Sequence, residues 1–131
     1  MKLQPDRLDV QSIVAYGPGW VGLGANGVAE KIDYSVVIGS HGEKYDWNCR
    51  TFEDLTEDHF TQLARTRPEL IIFGSGSVLR FVPPALLRSL MAERIGVETM
   101  DTAAACRTYN ILAGEGRRVI AALLMDTTPK A

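Results

Sequence analysis

The sequence is short of the residue types that most often build reactive centres. Its 131 residues include two cysteines, Cys49 and Cys106, and two histidines, His41 and His59. The cysteines fit no C-x-x-C pattern, and a structural zinc site needs about four Cys or His ligands at suitable spacing. No metal and no cofactor are therefore expected. The thiols read as reduced side chains of a cytosolic-type compartment, not as a disulfide. Basic runs are missing too. With a net charge of −2 and no local excess of Lys and Arg, the chain lacks what phosphate neutralisation requires, so nucleic acid is not an expected partner. The longest uncharged stretch, Leu70 to Leu79, is about half a membrane span and contains Gly-Ser-Gly-Ser, which argues against membrane insertion. The first residues carry Asp6 and Asp9 and lack both the apolar core of a signal peptide and the Arg-rich character of a transit peptide. The expected location is the cytoplasm.

What is present is ordinary for a globular protein, with 46% hydrophobic and 23% charged residues. The length suits a single domain over residues 1–131, and a domain this size buries about two-thirds of its unfolded surface. The first half reads as antiparallel β structure. In the stretch Leu8 to Tyr16, the residues Leu8, Val10, Val14 and Tyr16 alternate with Asp9 and Gln11, which predicts a half-buried strand with those four facing inward. Gly17-Pro18-Gly19 is a turn signal. A strand from Trp20 to Leu23, a hairpin turn at Asn26-Gly27, a strand ending in Ser35 to Ile38 and another at Tyr45 to Asn48 follow. Trp20, Tyr34, Tyr45 and Trp47 read as packing and cross-strand residues, because no basic residues interleave with them as in a base-stacking platform.

A helix is predicted from Thr56, capped by its hydroxyl, with Leu55 and Phe60 as a hydrophobic staple and Pro68 as its stop. His59 in its first turn is expected to be exposed. Leu70-Ile71-Ile72-Phe73 is a continuous apolar run, the signature of a strand covered on both faces. Pro83-Pro84 starts a helix whose buried stripe is Leu86, Leu87, Leu90 and Met91, with Gly96 in the left-handed position after it. A strand at Val97 to Met100, a helix from about Thr102 to Ala113 and the apolar run Val119 to Met125 complete the chain. The expected fold is an α/β, three-layer domain: antiparallel N-terminal strands, then a β-α-β-α-β half with three parallel strands and right-handed crossings.

Ligands of parallel sheets collect beyond the carboxyl ends of the strands. Two such ends, Gly74 to Ser77 and Asp101-Thr102, define a candidate crevice. Its ligand-binding candidates are Ser75, Ser77, Arg80, Asp101, Thr102, Cys106 and Arg107. The Gly-Ser-Gly-Ser loop matches neither a dinucleotide fingerprint nor a P-loop, and no nucleophile elbow is present. Cys106 lies beyond the first turn of its helix with no histidine placed as its base, so no catalytic residue is assigned. Structural readings stand beside these: Asp101 as an N-cap, Tyr109 and Asn110 satisfying the adjoining strand exit, and Arg107 paired with Glu115.

Phe73-Gly74-Ser75-Gly76, Pro84, Leu87, Gly96-Val97, Met100-Asp101-Thr102, Ala105 to Asn110 and Glu115-Gly116-Arg117 together resemble a small-domain family. The resemblance reaches back to Tyr16-Gly17-Pro18, Asn26-Gly27 and Ser35-Val36-Val37, and its most specific part is Asp-Thr-x-x-Ala-Cys-x-Thr-Tyr-Asn. The family's eukaryotic members include a mitochondrial respiratory complex I assembly factor and an adipogenesis-associated protein, and its bacterial members are single domains. The resemblance implies a three-layer β/α fold, no enzymatic activity, and a protein partner as yet unidentified. With no mitochondrial presequence, the chain is more similar to the bacterial members. The function it implies is a non-enzymatic interaction or assembly protein linked to complex I biogenesis. The alternative is a protein that binds a small molecule or anion, or an enzyme, using the crevice.

Overall fold

The computed structural model describes residues 10–25 and 28–129. Three strands, β1 (Ser12–Gly17), β2 (Trp20–Ala25) and β3 (Val28–Ile32), form an antiparallel sheet. A second, five-stranded sheet contains β4 (Val36–Gly39), β5 (Lys44–Asp46), β6 (Leu70–Gly74), β7 (Gly96–Met100) and β8 (Val119–Leu123) in the order β5-β4-β8-β6-β7. β6 runs parallel to both β7 and β8, and β4 is antiparallel to β8. The expected α/β layering with three parallel strands is therefore present. The antiparallel half does two jobs: β4 and β5 extend the large sheet, while β1 to β3 form a layer of their own.

The apolar runs act as their lack of polar alternation requires. β8 is buried along its whole length, as suits a central strand. Ile72, Ala121 and Leu123 face one core with Val36 and Ile38. Ile71, Phe73, Ile120 and Ala122 face the other with Val37. The first core is closed by α3 (Thr102–Gly114) and the small sheet. The second is closed by α1 (Glu57–Thr61), α2 (Arg88–Ala92) and the 3₁₀ turns beside them. Among the described residues, no helix is long and apolar enough to cross a membrane.

Local chemistry sets the helix ends. Thr56 caps α1, and its N–H is returned by His59 Nδ1 at 3.1 Å, a capping box with histidine in the usual Glu place. Leu55 and Phe60 are both buried in the second core, as a staple requires. His59 is not exposed as expected but half-buried: its ring meets Trp47 edge-on, and Nε2 lies 3.0 Å from the Asn48 carbonyl. With Nδ1 accepting, Nε2 carries the proton and donates to that carbonyl, so both ring nitrogens are engaged. α1 continues as a 3₁₀ turn over Gln62–Thr66 and stops at Arg67 in the left-handed conformation, just before Pro68. Pro84–Leu87 is also a 3₁₀ turn, and α2 starts only at Arg88. This rotates the helix face: Leu90 is buried, but Met91 is 57% exposed. The left-handed residue after α2 is Arg94, with φ 59°, and Gly96 opens β7 instead.

The facing predicted for the first strand holds at Val10, which packs against the first core, but not in β1 itself. Ile13 is buried, whereas Val14 is 59% and Tyr16 39% exposed. The pairing with β2 shifts between Ile13 and Ala15, leaving Val14 as the extra residue, so that Ile13 lies opposite buried Leu23 and Tyr16 opposite buried Val21. α3 holds the strand just before that shift. The Asn110 amide accepts from the Ile13 N–H at 2.8 Å and donates to the Ile13 carbonyl at 2.7 Å, so it pairs with β1 as a neighbouring strand would. Tyr109, fully buried, donates its hydroxyl to the Gln11 carbonyl at 2.7 Å. Both residues therefore satisfy β1, not the strand exit beside α3. Leu8 and the Asn26-Gly27 turn lie outside the described residues, although Ala25 and Val28 on either side of that turn pair.

Replacing Asn110 with Ala leaves both backbone groups of Ile13 without their partner. The expected loss is about 2–4 kcal/mol for two such bonds, read as a lower urea midpoint with an unchanged m value. Asn110→Asp is expected to be equally damaging, because a carboxylate oxygen would then face the Ile13 carbonyl. Wild-type stability in either variant would remove the clamp from the folding argument.

Candidate functional site

The parallel strands end level with one another: Gly74 pairs with Met100 on one side and with Leu123 on the other. Their exits are then tied together. The Ser75 N–H donates to the Met100 carbonyl at 2.9 Å, and the Leu124 N–H to the Gly74 carbonyl at 2.9 Å. Thr102 links all three segments. Its hydroxyl accepts from the Gly76 N–H at 2.8 Å and donates to the Leu124 carbonyl at 2.8 Å, and its own N–H donates to the Gly76 carbonyl. The Ser77 N–H donates to the Asp126 carbonyl.

The glycines follow from these contacts. A Cβ at Gly74 would stand 2.9 Å from Thr102 Oγ1 and 3.1 Å from the Ala105 methyl, so glycine lets α3 settle against β6. Gly76 has φ +103°, and a Cβ there would meet the Asp126 carbonyl at 2.6 Å. Ser75 is completely buried: its hydroxyl donates to the Val78 carbonyl at 2.8 Å and accepts from the Arg80 N–H at 3.1 Å.

Above the strand ends lies a cleft of about 320 Å³. Its walls are Tyr16 and the Gly17-Pro18-Gly19 turn on one side, and Ser77 with the Asp101 to Ala103 helix start on the other. Leu124 to Asp126 complete the lining. Of the seven candidates, the cleft brings together Ser77, Asp101 and Thr102. Asp101 accepts the Ala104 N–H at 2.9 Å as the N-cap of α3. Arg107 is exposed and reaches the rim by donating to the Tyr16 hydroxyl at 2.8 Å, not by pairing with Glu115. Ser75 lies beneath the loop. Arg80 turns away toward the C-terminal segment, where Nη2 donates to the Thr128 carbonyl and Nη1 is 4.0 Å from Asp126 Oδ2.

Cys106 is buried in the core. Burial pushes its thiol up to about 12, against the opposing charge of Arg107. Cys49 is pushed up to about 11, again chiefly by burial, with Asp54 adding to the rise. Neither is a ready thiolate. Among the described residues, no three His, Cys, Asp or Glu side chains are grouped as metal ligands.

Tyr16, the Gly-Pro-Gly turn and Asp126 were not among the sequence candidates. The turn itself is legible in the sequence, but its position over a distant helix start is not. Asp126 is nearly buried, and burial works against its charge. Hydrogen bonds from Thr128 and the Phe52 N–H, with Arg80 nearby, outweigh that and hold its carboxyl below the usual range. On its far side a second, polar groove of about 670 Å³ runs past Tyr34, Arg50 and Thr128.

Residues 13–124 match the family described as "Protein of unknown function (DUF498/DUF598)". The chain belongs to this family. NADH dehydrogenase [ubiquinone] 1 alpha subcomplex assembly factor 3 of Bos taurus is 36% identical over 80 residues, covering 60% of this chain and 44% of that protein. The chain thus spans less than half the length of this relative. Among solved structures, a Bordetella parapertussis protein superposes with a TM-score of 0.79 at 36% identity, covering 88% of this chain and 95% of that one. A Bordetella pertussis protein described as a Mth938-like domain gives a TM-score of 0.77 at 31% identity, covering 97% and 94%. In this DUF498 chain, the Asp-Thr-x-x-Ala-Cys-x-Thr-Tyr-Asn run has a structural account nearly residue by residue. Asp101 caps, Thr102 staples, Ala105 meets Gly74, Cys106 fills the core, and Tyr109 and Asn110 hold β1.

Two titrations follow. Asp126 has a lowered folded-state pKa, so its contribution to stability is complete above the ordinary carboxyl value of 3.8 and is lost as pH falls through the folded value. Cys106 has a raised pKa, so its contribution is intact below the ordinary thiol value of 9.0 and is lost as pH rises from there toward 12. Asp126→Asn is expected to flatten the acid limb of a stability–pH curve, and Cys106→Ala the alkaline limb. In native protein at pH 8, labelling of Cys106 by a thiol reagent is expected to be ~1000-fold slower than that of a free cysteine, from its thiolate fraction alone. Rapid labelling without unfolding would contradict the burial.

Proposed function

We propose that this chain is a non-enzymatic interaction and assembly protein of the cytoplasm, acting in the biogenesis of respiratory complex I. One observation carries the reading. The side chains that first suggest an active site, from Asp101 to Asn110, are mostly engaged in holding the fold together. What such a scaffold offers to other molecules is its surface. Similarity to an assembly factor supports the link to complex I.

Gentle co-purification from cells with membranes retained is expected to recover complex I subunits or assembly intermediates, and a deletion strain is expected to contain less assembled complex I. Recovery of the protein alone, together with normal complex I in the deletion strain, would sink the proposal.

The cleft favours a second reading, because it lies beyond the strand ends where parallel sheets bind ligands. In that reading Ser77, Asp101 and Thr102 contact a small molecule or anion, with Arg107 at the rim, while Ser75, Arg80 and Cys106 support the loop and helix from within. Binding would raise thermal stability, by about 2.7 kcal/mol at a hundredfold excess of ligand over Kd. No shift across a panel of anions and metabolites would eliminate this reading.

A further inference from the structure

The chain between β6 and Pro83 inverts the usual distribution of polarity. Arg80 turns inward, with its side chain 17% exposed and its guanidinium 5.9 Å from the centre of the Phe52 ring. The apolar residues on either side face solvent instead: Leu79 is 47% and Phe81 70% exposed. Local bonds keep them there. The Ser75 hydroxyl holds both the Val78 carbonyl and the Arg80 N–H, Arg80 reaches the Thr128 carbonyl, and Val82 is buried in the core. Pro83 and Pro84 stiffen the chain immediately beyond. An apolar pair pinned in this way loses little conformational freedom on association.

The surroundings indicate what chemistry fits. Phe52, which packs against Arg80, opens the 3₁₀ turn Phe52–Asp54, whose Glu53 and Asp54 are both exposed. Glu57 and Asp58 follow at the start of α1. Among the described residues, the basic groups within 4.0 Å of a carboxylate all pair with other acids, leaving these four without an ionic partner. Arg50, Arg65 and Arg88 are exposed cations of the neighbouring chain, and against the four carboxylates the local sum stays negative. Apolar anchors with a charged rim form the usual anatomy of a protein interface, and complementary charge sets its partner.

We propose that the Leu79–Phe81 loop, with Glu53 and Asp54 as its rim, docks a basic amphipathic segment of a partner protein. This rests on the assembly reading and names the surface and the partner chemistry for it. The carboxylates disfavour an anionic lipid surface, which carries the same sign of charge.

The test titrates isotope-labelled protein with a synthetic amphipathic Lys/Leu peptide and, separately, with its Glu/Leu counterpart. The Lys/Leu peptide is expected to shift the resonances of residues 79–81 and 52–58. Its affinity should fall at least tenfold in Phe81→Ser, in the double variant Glu53→Lys/Asp54→Lys, and in ~0.5 M salt, where the screening length is only a few Å. The substituted side chains are exposed or half-exposed at the surface, and an unchanged Tm confirms that the variants fold. The proposal is overturned if the Lys/Leu peptide does not bind, if its shifts map elsewhere, or if the Glu/Leu peptide binds equally well. It is also overturned if Phe81 instead mediates self-association or binding to phosphatidylglycerol vesicles. If complex I components co-purify unchanged with Phe81→Ser, this surface falls while the assembly reading stands.

Discussion

The fold depends on one helix being bonded to two sheets at once. α3 sits against the five-stranded sheet through Thr102, whose single hydroxyl accepts from Gly76 and donates to Leu124. About two turns later Asn110 offers its amide to Ile13 as though it were a β-strand. Either bond alone would position the helix along one surface. Together they fix the distance and register between the sheets, because buried backbone groups must be paired and these side chains supply the partners. Gly74 is the steric counterpart, allowing α3 to come close enough for both.

That arrangement explains why a polar stretch is present without an evident reaction. A hydroxyl, an amide, a phenol and a capping carboxylate are what a helix needs when it must satisfy main-chain groups of β1, of the residue leading into it, and of the exits of β6 and β8. Cys106 in the same stretch is a small apolar filler, its thiol held protonated by burial. What is open to other molecules is peripheral and includes the cleft beneath the Gly17-Pro18-Gly19 turn, the polar groove beyond Asp126, and the loop that displays Leu79 and Phe81. The cleft and the loop adjoin, since Ser77 lines the cleft and Arg80 lies 4.0 Å from Asp126, which lines it too. A ligand in the cleft and a protein on the loop would therefore bear on the same short segment.

Much of the architecture was legible because it rests on period and punctuation. The uninterrupted apolar run at Leu70 announces a doubly covered strand, and Thr56 and Pro68 mark helix ends through local chemistry. The errors have a common cause. Ile13 is held by Asn110, nearly a hundred residues away, and no alternation pattern within Leu8 to Tyr16 encodes that bond or the bulge that follows it. An α-helical period from Pro84 would place Met91 inside, whereas the tighter 3₁₀ turn over Pro84–Leu87 rotates the face. Arg107 pairs with Tyr16 because the small sheet folds over α3, a contact between residues with no local relation.

The same division runs through the candidate site. Composition by itself removed nucleic-acid and metal chemistry from the expectations, since these need charge or ligands in number. The strand-exit rule placed the crevice near Gly76 and Thr102. Local sequence also accounted for Asp101, whose carboxylate needs only the next helical turn as its partner. Which of the remaining polar side chains faces outward was decided by tertiary structure. Ser75, Thr102 and Arg80 have chemistry suited to a ligand, but each found a main-chain partner that became available only when the strand ends and the C-terminal segment came together. A hydrogen bond to a distant carbonyl has no sequence signature, and in this protein such bonds separate structural from available polar groups.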